Sequence, residues 1–223
     1  MNTKKKVLSM ALIGGLALTA VGGTLAYFTD TDQQTNVFTV GNVDITLVEK
    51  FDQGAQLMPG TKTQNNVEKA VTVRNDGKNA AYTWIEVWVP SALDDGDDNS
   101  PTAPGLGNSL HFNYGKNVTE TKSTFLGSKE IDGVVYNGYV HFVEGSAPTA
   151  AGATSAQLLD QVYMDKKVTQ NENGKYVLVD GKTVYDGTWN MVVNAVGFQS
   201  EGFDTIESAI SEYYGKPVAD YIW

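Results

Sequence analysis

Cysteine is absent from the 223 residues, so no disulfide can staple this chain and its stability must come from a hydrophobic core. Arginine is nearly absent. Arg74 stands alone, which excludes clustered guanidinium clamps on phosphate. Histidine occurs twice, as His111 and His141, and there is no His-Glu-x-x-His helix, so the usual zinc peptidase site cannot be assembled from one motif. Both histidines stand in a His-Phe context on expected strands, and they read as partly exposed strand residues. The alternative, that they meet across neighbouring strands and hold a metal with a carboxylate, is disfavoured because a protein-held zinc needs three or four ligands and few candidates are in sight. His141 and Glu144, three apart on a strand, point to opposite faces. Nucleophile elbows, Gly-rich phosphate loops and Cys-His pairs are missing, and no Ser-His-Asp set can be nominated. The residues give no positive sign of an enzyme. Basic charge is also short: the formal charge is −10, which disfavours nucleic acid as a partner. No fixed-period repeat is visible.

What is present begins with a targeting pattern. Lys4, Lys5 and Lys6 precede an apolar run from Val7 to Val21, broken by Gly14 and Gly15, and Thr24-Leu25-Ala26 places small residues where a signal peptidase reads. Cleavage is expected between Ala26 and Tyr27, giving a signal peptide over residues 1–26. An uncleaved anchor is the rival reading, but about fifteen apolar residues are short of the about twenty a span needs. The membrane is then a partner only before cleavage. The trimmed chain holds 13 basic against 26 acidic groups, a charge of −13. Its length suits one domain of ordinary size, and 23 glycines with 10% aromatics indicate a turn-rich β protein.

Residues 27–49 are expected to form a polar linker and an N-terminal strand, and residues 50–223 the main domain. Val37 to Glu49 alternates, with Val43, Ile45 and Leu47 on one face and Asp44, Thr46 and Val48 on the other. Met58-Pro59-Gly60 reads as a turn. Val71 and Val73 lead into Asn75-Asp76-Gly77, a hairpin-type signal, and Ala81 to Val89 leaves it. In that exit strand Ile85, Val87 and Val89 suit the core, while Trp84 and Trp88, bracketing Glu86, suit a second packed layer or an interface. Further strands are expected at Leu110 to Tyr114, Val134 to Val143, Tyr176 to Val179 and Thr188 to Phe198, the last central and covered on both faces. Asp132-Gly133, Asn137-Gly138, Asp180-Gly181 and Asp186-Gly187 read as turns. Two helices are expected: Thr154 and Gln157 have capping-box spacing ahead of Leu158, Leu159, Val162 and Tyr163, and Asp204 with Glu207 frames a helix over about 204–214, stopped by Gly215 and Pro217.

Ser91 to Gly107 must be a loop, because it carries a run of acids and two prolines. Its carboxylates Asp94, Asp95, Asp97 and Asp98 are the best cation candidates, since Ca²⁺ favours closely spaced oxygen ligands. The run lacks the EF-hand order, and a solvated acidic loop is the plainer reading. No resident cofactor is otherwise expected. Many short strands with turns between them favour a mainly β, antiparallel two-sheet sandwich, jelly-roll-like, with one or two short helices.

One resemblance gathers these features. The stretch GGTLAYFTDTDQQTNVFTVGNVDITL, then Pro59-Gly60, VTVRNDG from Val71 to Gly77 and the strand after it, and the closing NAVGFQSEGFDTIESA are similar to the TasA and camelysin (CalY) family of exported Gram-positive proteins. Leu110 to Lys182 carries no matching motif. The resemblance implies processing by a SipW-type signal peptidase and a jelly-roll sandwich that builds biofilm matrix fibres. It further implies that the freed N-terminal strand is donated to a neighbour, itself another copy or a related matrix subunit. Mapped onto this chain, the donated segment starts at Tyr27 and Phe28 and includes Val37, Phe38 and Val40. Donation satisfies unpaired backbone groups and apolar surface on the receiving sheet, and a head-to-tail contact that does not close yields filaments.

The rivals are a secreted metal-dependent endopeptidase, a label the family sometimes carries although this chain lacks the motif for it, and a monomeric cell-surface module presenting Trp84, Trp88 and the Asp94-to-Gly107 loop. A strand folded back into its own domain is the alternative for the N-terminal segment. No Leu-Pro-x-Thr-Gly or hydrophobic tail occurs near Tyr221-Ile222-Trp223, so retention outside the cell is expected through assembly or partners, without covalent wall anchoring.

Overall fold

A computed structural model describes residues 43–51, 57–61, 63–94, 108–113, 121–185, 190–215 and 217. The expected signal peptide, its cleavage point, the linker and donor segment, Asp95 to Gly107 and the Asp186-Gly187 turn lie outside these residues. In chain order the strands are β1 (Ile45–Phe51), β2 (Pro59–Gly60), β3 (Val67–Asn75), β4 (Ala81–Pro90), β5 (Leu110–Asn113) and β6 (Thr121–Ile131). They continue with β7 (Val134–Val143), β8 (Leu159–Asp165), β9 (Thr169–Gln170), β10 (Tyr176–Val177), β11 (Val184–Tyr185) and β12 (Val192–Gln199), and one helix follows, α1 (Ile206–Tyr214).

Two sheets form the sandwich. In the five-stranded one, β1 pairs with β3 and β3 with β8; β8 also carries β2 beside β3 on one side and β5 on the other. The four-stranded sheet runs β12-β4-β7-β6, all antiparallel. A small sheet of β9, β10 and β11 stands apart. The period of two explains the core: Val71 and Val73 on β3 face Ile85, Val87 and Val89 on β4 and Val193 and Ala195 on β12, all within one buried cluster. Each buried valine or isoleucine among them stabilises the fold by about 1.5–3 kcal/mol.

A second cluster lies on the outer face of the four-stranded sheet. There α1 buries Ile206, Ala209 and Ile210 against Tyr82, Trp84, Val140, Phe142 and Val196. Thr205 caps the helix by accepting from Ser208 N, and Ser208 reciprocates. The cap is one residue later than expected at Asp204. Gly215, at φ 70, closes the C-terminus in the left-handed conformation that glycine adopts freely.

Several expectations are corrected. Asn75-Asp76-Gly77 does not turn a hairpin, because β3 and β4 belong to different sheets. Asn75 is instead a buried hub: its amide donates to Asn79 O at 2.8 Å and Thr149 O at 2.9 Å, and its Oδ1 accepts from Gly77 N at 3.0 Å. These bonds let the chain cross from one layer to the other. The helix expected after Thr154 is strand β8, since its apolar residues find strand partners on both sides; Val162 pairs with Val67 and with Phe112. Pro59-Gly60 is the short strand β2, parallel to β8, and the turn follows it at Thr61–Gln64. Asn137-Gly138 lies inside β7, and β12, expected to be central, ends its sheet among the described strands, with both its faces covered. β6, with little hydrophobic alternation, was not expected at all.

Candidate functional site

The N-terminal segment enters the sandwich at a corner between the two sheets. Val43 and Ile45 are 5% and 2% exposed, and they lie against Gly197 on β12. A Cβ on Gly197 would stand 2.5 Å from Ile45 Cγ2 and 3.1 Å from Val43 Cγ1, so glycine is required for the close approach. Among the described strands, β1 is the outermost of its sheet and β12 of the other. Of the expected donor residues, Tyr27, Phe28, Val37, Phe38 and Val40, none falls within the described structure.

The outward face of β4 is already occupied by the protein's own parts. Trp84 is fully buried beneath α1, with Tyr213 edge-on at 5.4 Å, which removes it from any external interface and fulfils the packed-layer alternative. Its Nε1 donates to Tyr214 Oη at 3.1 Å, and Tyr214 in turn donates to Glu86 Oε1 at 2.7 Å. Trp88 Nε1 and Asn194 Nδ2 reach Glu86 Oε2 at 3.3 and 3.4 Å. Burial and the Glu86 carboxylate both push the Tyr214 hydroxyl far above its ordinary range. Trp88 is 8% exposed: it lies over Gly138, and Lys129 Nζ sits 3.5 Å above its ring. This network was not legible beforehand, because Glu86 and Tyr214 are 128 residues apart.

The histidines are fully buried, contrary to the partly exposed reading. Phe112 meets His141 edge-on at 5.7 Å, whereas His111, the preceding residue on β5, stacks on Tyr163 at 5.1 Å. Successive strand residues point to opposite faces, so the two imidazoles lie on opposite sides of the five-stranded sheet. His111 Nε2 is 2.9 Å from Asp165 Oδ2. His141 stands 6.4 Å from Tyr139 between ring centroids, and burial lowers its pKa to about 3.

Asp94 is also relocated. Its carboxylate is buried, accepting from Tyr139 Oη and from Asn137 Nδ2 at 3.2 Å, while its carbonyl accepts from the same amide at 2.7 Å. It anchors the root of the acidic loop and is not part of a solvated run. Asp95, Asp97 and Asp98 lie outside the described residues.

A family model described as camelysin metallo-endopeptidase matches residues 2–175. The chain belongs to the camelysin family. No curated protein and no solved structure matches it. The camelysin stretch takes in strands β1 to β9 and ends before β12 and α1. Its description implies a metal, which in a catalytic zinc site needs three protein ligands about one point. Among the described residues no three His, Asp or Glu side chains converge, and those residues do not fit a catalytic metal. No helix among them is long and apolar enough to cross a membrane.

Proposed function

We propose that this camelysin-family chain is an exported structural subunit of extracellular matrix fibres, assembling by N-terminal strand donation after cleavage between Ala26 and Tyr27. The observation that carries the reading is the corner at Gly197. There β1 opens the sandwich as the outermost described strand of one sheet and packs against β12, the outermost described strand of the other; strand addition at a sheet edge is the mode of assembly this reading invokes. Family membership and the charged amino-terminal pattern support export through a SipW-type peptidase. Cleavage acts as the assembly switch, because a leader still attached at Ala26 keeps the segment tethered to the membrane.

The family description favours one second reading, a secreted metal-dependent endopeptidase. One experiment separates the two. The chain beginning at Tyr27 is expected to form fibres under the electron microscope, and deletion of residues 27–40 to leave a folded, soluble, non-polymerising subunit. Chelator-sensitive proteolysis that survives this deletion supports the endopeptidase instead. A trimmed chain that stays a single particle at high concentration refutes the fibre reading.

A further inference from the structure

We propose that the small sheet β9–β11 is a basic docking surface for a second copy of this chain, whose acidic helix α1 it meets; the inference does not rest on strand donation. Charge along the chain is uneven. From Lys166 to Lys182 there are four lysines against Glu172 and Asp180, whereas the rest of the trimmed chain holds 9 basic and 24 acidic groups. From Thr183 to Gly215 no basic residue occurs, while Glu201, Asp204, Glu207 and Glu212 gather on α1 and the turn before it.

Strand pairing brings three of the lysines together. Val177 on β10 pairs with Thr169 on β9 and with Val184 on β11, so Lys166 and Lys167, ahead of β9, lie at the same end of the small sheet as Lys182, ahead of β11. Lys175 stands at the other end. Two strand spacings, about 10 Å, separate β9 from β11. Lys166, Lys167 and Lys182 are exposed, and their ammonium groups form no ion pair with the described residues. The carboxylates nearby are already engaged: Asp165 by His111 Nε2 and the Lys167 amide, Asp180 by the Lys182 and Thr183 amides and the Thr183 hydroxyl. Val168, Leu178 and Tyr185 are buried in the same cluster as β3 and β4, which fixes the patch to the sandwich.

The acidic patch is equally fixed, because Ile206, Ala209 and Ile210 hold α1 on the four-stranded sheet. Glu201, Asp204 and Glu212 are exposed without an ion pair to the described residues, and half-buried Glu207 accepts from Gly145 N at 3.2 Å. No described ion pair joins the two patches within one copy, so a second copy supplies the complement of each. A contact between unlike surfaces leaves one patch of each kind open at its ends and propagates without closing. Exposed ion pairs are individually weak, so several must act together. Salt then acts in two directions. At about 0.01 M the screening length is about 30 Å and the two negative copies repel; at about 0.1 M it is about 10 Å, which leaves the facing patches; at about 1 M it is about 3 Å and the attraction is gone.

Carbodiimide, which joins an amine to a carboxylate in contact with it, tests the proposal. Trimmed chains, half of them carrying heavy nitrogen, are treated at these three salt concentrations, and the linked peptides are read by mass spectrometry. The expected result is mixed-label peptides joining Lys166, Lys167 or Lys182 to Glu201, Asp204, Glu207 or Glu212, most abundant at the middle concentration. A chain carrying Lys166→Glu, Lys167→Glu and Lys182→Glu, mixed with one carrying Glu201→Lys and Glu212→Lys, should give mixed-label links between the exchanged positions, an outcome that misfolding cannot produce. Links confined to one label, spread evenly over Lys50 and Lys122 as well, or absent from the exchanged pair overturn the contact. A chain that gives no mixed-label link but is held by immobilised polyphosphate through these lysines overturns the second copy as occupant in favour of an anionic polymer. The links are read whether or not fibres form, so failure of strand donation stays distinguishable from failure of this contact.

Discussion

His141 makes the stability of this protein depend on pH in a direction that can be worked out. Its imidazole is fully buried, and burial lowers its pKa from 6.5 to about 3. The unfolded chain therefore binds a proton that the folded chain refuses, and stability falls as pH drops below the unfolded value of 6.5. The contribution is fully present above that pH and is lost progressively down to the folded value. Between pH 7 and pH 5 the linkage amounts to about 2 kcal/mol, at about 1.4 kcal/mol per pH unit through which the unfolded state alone is charged. With a urea slope of about 2 kcal/mol/M, the unfolding midpoint should fall by about 1 M. Urea titrations of the trimmed chain at pH 7, 6 and 5, followed by tryptophan fluorescence, measure it. His141→Gln has no proton to gain and should flatten this part of the dependence, whatever its stability at pH 7; His111 is present in both proteins, so the difference isolates residue 141. Equal losses in the two proteins would refute the reasoning.

Three further outcomes are expected. Tyr214→Phe takes one donor from Glu86 and the acceptor from Trp84 Nε1, and should cost about 1–3 kcal/mol in the same urea assay. Gly138→Ala would put a methyl 2.3 Å from the Trp88 ring; the tryptophan must shift, with a loss of about 1–3 kcal/mol and a change in its emission. Thermal melting in the presence and absence of millimolar Ca²⁺ should give the same midpoint, since Asp94 is engaged by Tyr139 and Asn137; a clear rise would restore a cation site in the acidic loop.

Much of the strand content was readable from periodicity. The alternation of Val43, Ile45 and Leu47, and of Ile85, Val87 and Val89, named core faces that the structure keeps. Leu158, Leu159, Val162 and Tyr163 are ambiguous by periodicity, because the same apolar residues fit a helix face or a strand held on both sides. Gly138 shows it again. Asn-Gly is a turn signal to its neighbours in the chain, yet here the glycine is needed because Trp88 lies on it. The histidines looked peripheral because nothing local reveals that Phe112 and Tyr163 will enclose them.

By itself the amino-acid sequence determined that this is a β protein without disulfides, with a targeting pattern ahead of an alternating strand, a helix ending at Gly215, and too few histidines and arginines for the commonest catalytic or nucleic-acid sites. Those properties depend on residue type and on spacing within a few positions. The tertiary structure decided that β3 and β4 part into different sheets, that Trp84 is sealed under α1, and that Asp94 and both histidines are buried. It also decided that β12 pairs with β4 along its whole length. Each of these follows from contacts between segments tens of residues apart, where burial of one face and the pairing of backbone groups outweigh local preference.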